Sequence, residues 1–210
     1  MNVRDEGVVK YRAEWHESAL DSFLSDGLIS NDAIMKLIEA RNQLFQEGWI
    51  GVADDGIGFG NISVRTSQTH LAPQFLITAT QTGHLPKITQ RELAFVTECD
   101  PTKNYLICYG AKSASSEAMT HFALYAMHDS IGAVIHIHSN YLWLKNLNRL
   151  PTIPASVAYG TPQMAAQVAT FFEAQPANSP KLWIMAGHDD GIIAFGKTLQ
   201  QAYGELAHLV

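Results

Sequence analysis

Ala133-Val134-Ile135-His136-Ile137-His138-Ser139 is a β-branched, apolar run interrupted by two histidines two residues apart. Side chains alternate along a strand with period two, so His136 and His138 share one face with Val134, while Ile135 and Ile137 point to the other. Two imidazoles one strand repeat apart make half of a metal site. The same spacing also suits a hydrogen-bonded pair in a half-buried strand, so the rest of the chain has to separate the two readings.

The chain of 210 residues is long enough for one domain with a full core, and a single domain over residues 1–210 is expected. An apolar fraction of 47% with 16% charged residues is that of a globular chain in water. A net charge of −6 argues against broad nucleic-acid binding, which needs a basic face, yet leaves room for one locally electropositive pocket. The apolar runs are too short for a membrane span, and Met1–Gly7 lacks the apolar core of a signal peptide. Cys99 and Cys108 form no CxxC pattern, so a reducing cytoplasm is the expected compartment.

Helical periodicity begins at Ser30 and runs to Glu47, with Ile34, Leu37, Ile38, Leu44 and Phe45 as its stripe and Gly48 as its stop. A Gly-rich segment, 51–60, follows. Strand-like pieces come next at 62–65, 75–79, 93–98 and 105–109. A helix over 116–128 with Ser116 as N-cap precedes the histidine strand. Helices near 140–147 and 162–172, strands at 182–186 and 191–195, and a last helix from Thr198 complete the pattern. Strands in succession, then interleaved helices, suggest an α/β sandwich on a mixed or antiparallel sheet rather than parallel βαβ repeats.

Four more segments place small or hydroxyl residues in tight turns: 58–63, 80–84, Ser115-Ser116-Glu117 and Gly187-His188-Asp189-Asp190-Gly191. Glycines admit close approach to backbone N–H groups, and a Ser-Ser pair at a helix start adds unpaired N–H groups, so together these segments can cradle a phosphate. Each alone is also an ordinary turn or cap.

Their order resembles the class II aldolase/adducin family. The features are Gly60-Asn61-Ile62-Ser63, Thr82-Gly83, Ser115-Ser116-Glu117, the His136/His138 pair nineteen residues after Glu117, the His188 turn, and Gly196-Lys197-Thr198-Leu199. The likeness is nearest to the L-fuculose-1-phosphate aldolase and L-ribulose-5-phosphate 4-epimerase group and covers the chain from about Ser30 onward. It implies a three-layer α/β/α sandwich with a mixed, mostly antiparallel central sheet. It further implies zinc, or another divalent metal, held by His136, His138 and a late histidine, for which His188 is the natural candidate. Glu117 is then the acid and base of a lyase that makes or breaks a carbon–carbon bond through a metal-stabilised enediolate. Gly60, Asn61, Thr82, Gly83, Ser115 and Ser116 hold the phosphate of a small sugar or hydroxy-ketone. The implied assembly is a homotetramer in cytoplasmic carbohydrate metabolism.

The third ligand has a rival. Counting back from Gly191 without a gap selects Asp190, and a local two-residue insertion restores His188. His121, one turn after Glu117, is expected to pack within its helix. His84 is expected at the surface unless it faces the pocket, and Lys87, near in sequence and able to add charge, is expected to be a surface lysine. The family's assisting tyrosine has only Tyr159 as a candidate. The chain stops at Val210, before the tail that closes over the site in similar aldolases, so a metal site with a phosphate cradle is favoured over any named sugar. A dehydratase, epimerase or decarboxylase on the same scaffold and a non-catalytic adducin-like interaction module are the alternatives. Retention of both histidines with Glu117 argues against the module.

Overall fold

The computed structural model describes residues 11–67, 71–158, 160–176 and 178–209. Tyr159 and His70 lie outside the described residues. One sheet of nine strands dominates. Its order is β1 (Arg12–Glu17), β7 (Tyr105–Gly110), β6 (Leu93–Asp100), β5 (Phe75–Thr78), β4 (Asn61–Arg65), β8 (Ala133–His138), β11 (Gly191–Gly196), β10 (Leu182–Met185) and β9 (Thr152–Ile153). The outermost pairs, β1–β7 and β9–β10, are parallel, and every pair between them is antiparallel. The mixed, mostly antiparallel sheet expected from the sequence is what forms. A separate hairpin joins β2 (Gly51–Val52) to β3 (Gly58–Phe59).

Alternation along the strands gives the sheet two apolar faces. On β8, Ala133, Ile135 and Ile137 join one core, and Val134 joins the other. On β11, Ile192 and Ala194 go one way, Ile193 and Phe195 the other. The first core is covered by α2 (Asn31–Gln46), α4 (Asn140–Asn146) and α6 (Leu199–Ala207), with α1 (Asp21–Ser25) at its edge. The second is covered by α3 (Ala118–Tyr125) and α5 (Pro162–Ala174). Two covered faces make three layers.

Side-chain caps start four of these helices: Ser30 accepts from Ala33 N, Ser139 from Leu142 N, Thr161 from Met164 N and Thr198 from Gln201 N. Helix α3 differs from expectation. Its N-cap is Glu117 rather than Ser116, and it ends at Tyr125 rather than near His128. The Ser115 carbonyl accepts from Ala118 N and the Ser115 hydroxyl from Glu117 N, so 115–117 form a turn before the helix. At the other end Arg65 donates to the carbonyls of Tyr125 and His128, which closes the last turn. Among the described residues, no helix is long and apolar enough to cross a membrane.

An antiparallel order returns every second connection to the same end of the sheet. Strands β5, β7, β8 and β10 finish at one end, where β4, β6 and β11 begin. The turns 79–84, 111–117, 138–139 and 186–190 and the start of β4 therefore converge there. Asn61 stands opposite His136 and Gly191 opposite His138.

Candidate metal and anion site

A cleft of about 590 Å³ opens at that end. His136, His138, His188, Glu117, Gly60, Asn61, Thr82, Gly83, Ser115 and Ser116 all line it. Two glycines are needed for the lining to close. Gly60 has φ +73°, and a Cβ there would meet the His136 carbonyl at 3.1 Å. At Gly83 a Cβ would lie 2.2 Å from the Gly51 carbonyl, so only glycine lets the β2–β3 hairpin pack against the loop.

The three histidines each bring one ring nitrogen to within 4.8 Å of the others, and this group could hold a metal ion. His136 Nε2 lies 3.1 Å from His138 Nε2. Nitrogens around a tetrahedral zinc at about 2.0–2.1 Å stand about 3.4 Å from one another, so this pair already has ligand spacing. His136 Nδ1 donates to the Ile192 carbonyl at 3.1 Å, which fixes the tautomer and leaves the Nε2 lone pair for an ion. Phe59, from the hairpin, places its ring 5.4 Å from that of His138, tilted by 33°.

Glu117 is 2% exposed, and neither carboxylate oxygen has a hydrogen bond among the described residues. Its Oε1 stands 3.1 Å from His188 Nδ1 and 3.8 Å from His136 Nε2. A buried carboxylate without donors costs several kcal/mol unless a positive charge or a proton answers it. Three imidazole nitrogens beside an unanswered carboxylate are a donor set that fits a divalent cation.

The rival third ligand has another task. The Asp190 carboxylate accepts from Asn140 Nδ2 at 2.7 Å and its carbonyl from Ser139 N at 3.0 Å, so it pins the turn to the end of β8. Its backbone is left-handed, with φ 65°. His188 therefore faces the cleft, and Asp189 is exposed.

Behind the histidines lies a buried polar chain. Tyr125 Oη is 2.7 Å from Ser63 Oγ, which is 2.6 Å from His121 Nδ1. His121 is thus packed within the fold and does not enter the metal group. Burial lowers its pKa to about 3, with Glu117 opposing; burial does the same to His136. Folded pKa values below the usual 6.5 mean that these rings contribute stability above pH 6.5 and lose it as pH falls toward 3. The metal-free protein should therefore lose about 1.4 kcal/mol per pH unit per histidine below pH 6.5. Urea midpoints at pH 8, 6 and 5 check this; a midpoint that stays level across that range contradicts it.

The lining of the cleft also carries a cation. Lys112 and His84 line it, whereas Lys87 is exposed and outside it. Lys87 is thus the surface lysine expected, and the lysine on the lining comes from the turn after β7. The Thr82 hydroxyl does not face outward as a free donor; it donates to the Ala79 carbonyl at 2.8 Å and braces the turn.

The sequence pattern of the Class II Aldolase and Adducin N-terminal domain family matches residues 35–210. The chain belongs to this family. No curated protein sequence matches it. Solved structures share its class II aldolase/adducin fold at low identity. An L-fuculose 1-phosphate aldolase superposes with TM-score 0.61 at 22% identity, over 86% of this chain and 84% of that one. YgbL of Klebsiella pneumoniae, a candidate aldolase/epimerase/decarboxylase, gives 0.62 at 19% identity, over 85% and 84%. A sugar-phosphate aldolase of Thermotoga maritima gives 0.64 at 19%, over 85% and 90%. At such identities the likeness speaks for the fold of this family member, and its chemistry has to be argued from the cleft.

Proposed function

We propose that this protein is a metal-dependent aldolase, a lyase that forms or breaks a carbon–carbon bond beside the carbonyl of a small phosphorylated sugar or hydroxy-ketone. The observation that carries this reading is the buried, unanswered Glu117 carboxylate facing His136, His138 and His188 in one cleft. Zinc, or another divalent ion, held by those three histidines supplies Lewis acidity to substrate oxygens. Glu117 moves the proton. In the bond-forming direction its carboxylate takes a proton from the carbon beside the carbonyl, and in cleavage it gives that proton back.

Dehydration, epimerisation and decarboxylation need the same handling of charge beside a carbonyl. The structural neighbour whose description spans aldolase, epimerase and decarboxylase keeps epimerisation and decarboxylation in the second reading, and dehydration stands with them on the shared chemistry alone. A non-catalytic interaction module has no use for a buried carboxylate aimed at three imidazoles. The assembly belonging to this proposal is a cytoplasmic homotetramer. On α4, Trp143 turns inward and donates to the Met185 carbonyl, while Tyr141 and Leu144 on the same helix are 70% and 59% exposed.

The decisive screen is metal analysis followed by assay with phosphorylated ketoses, and with dihydroxyacetone phosphate plus aldehydes. Turnover of any of these that stops on chelation supports the reading; a metal-loaded protein inactive on all of them counts against it. For the anion end, Asn61→Ala should weaken binding of a phosphorylated ketose about tenfold more than binding of its dephosphorylated analogue. Equal losses would mean that Asn61 only shapes the start of β4. Asn61 is the cleaner probe, because the Ser115 hydroxyl also holds Glu117 N.

A further inference from the structure

Helix α2 buries a charge that, among the described residues, has backbone carbonyls rather than a carboxylate as its hydrogen-bond partners. Arg41 is 1% exposed, and its guanidinium donates to the carbonyl of Leu85, to that of Thr82 at 2.8 Å and to that of Gly83 at 3.3 Å. The Phe45 ring lies 5.1 Å from it. Burial lowers its pKa to about 10, with Glu92 opposing, so it stays protonated at neutral pH. A buried cation is costly unless its N–H groups are answered, and here three carbonyls of one loop answer them. The loop is what this charge organises.

A trans peptide points its C=O and N–H to opposite sides. Drawing the Thr82 and Gly83 carbonyls toward Arg41 therefore turns the N–H groups of Gly83 and His84 away from it, and both residues line the cleft. Neither N–H has an acceptor among the described residues. The Thr82 hydroxyl is already engaged with Ala79. This segment can thus offer an anion its backbone donors, with a fixed positive charge behind them.

We propose that Arg41 is a positioning residue for anion binding. Its fork sets the Thr82–Leu85 loop so that the N–H groups of Gly83 and His84 meet an anionic group of the substrate, and its charge lowers the energy of that anion from behind the loop. The inference rests on the proposed anion end of the cleft and adds how that end is held. Lys112, by contrast, is a partly exposed cation on the cleft lining whose contribution salt screens. Lysine at position 41 would keep the charge but lose the planar fork that reaches three carbonyls.

Two measurements test this with the metal-loaded full chain. In the wild type, titration with inorganic phosphate should shift the amide resonances of Gly83 and His84; amides that stay in place while phosphate binds overturn the proposal. In Arg41→Lys and Arg41→Met, metal content and kcat should stay within about twofold of wild type. Phosphate Kd and KM for a phosphorylated hydroxy-ketone should rise about tenfold or more, with KM for the dephosphorylated analogue unchanged. Unchanged phosphate affinity in either folded variant, or equal losses for both substrates, overturns it. Wild type that binds no phosphate removes the anion reading itself and this proposal with it, whereas phosphate bound equally by wild type and variants removes this proposal alone.

Discussion

His136→Ala and His138→Ala should each leave the protein unable to retain a metal ion. Removing a group that merely orients a ligand costs about 10–100-fold in metal affinity, and removing one of three ligands should cost more. His136 supplies a lone pair held in place by the Ile192 carbonyl, and its Nε2 is already 3.1 Å from its partner. His138 is partly exposed and is the cleaner probe, since its loss opens no void in the core. Metal per chain after gel filtration, read by mass spectrometry, is the check. Full metal content in both variants would leave no role for the pair.

Glu117→Gln should do the reverse, keeping the metal and losing turnover. Positioned acid–base groups contribute about 10²–10⁴-fold, and a fall in kcat of that order is expected. The substitution is nearly isosteric and replaces an unanswered buried carboxylate with a neutral amide, so the metal-free variant should be at least as stable as the wild type. Turnover near the wild-type rate with metal bound would clear Glu117 of proton transfer. Loss of metal and turnover together would make it a structural partner of His188.

The parts of the fold written locally in the sequence are those that periodicity shows. The stripe from Ile34 to Leu44 and the cap at Ser30 place α2 within a residue of its bounds, and alternation along 133–138 assigns the faces of β8. Other pieces are written elsewhere. β1 is a polar edge strand whose existence depends on pairing with β7, over ninety residues away. β2, β3 and β9 are two residues long, too short for any period to register.

The candidate site divides along the same line. The spacing of His136 and His138 follows from strand geometry alone. The choice between His188 and Asp190 does not, because it depends on a turn pinned by Asn140 and Ser139 across the end of β8. Lys112 was invisible for a topological reason. Lys87 is nearer in sequence to the Thr82–Gly83 loop, but it is β7 that returns the chain to the cleft. Arg41 carried no motif at all, and only its burial against three carbonyls gives it meaning.

The central claim is that a metal held by three histidines and the Glu117 carboxylate together move a proton beside a carbonyl. Exchange of the C–H protons of dihydroxyacetone phosphate with deuterated water, followed by NMR without any aldehyde present, isolates that event from bond formation. The metal-loaded wild type should exchange one proton stereospecifically, stop when the metal is chelated and resume when it is restored. Exchange that persists unchanged after chelation would contradict the account.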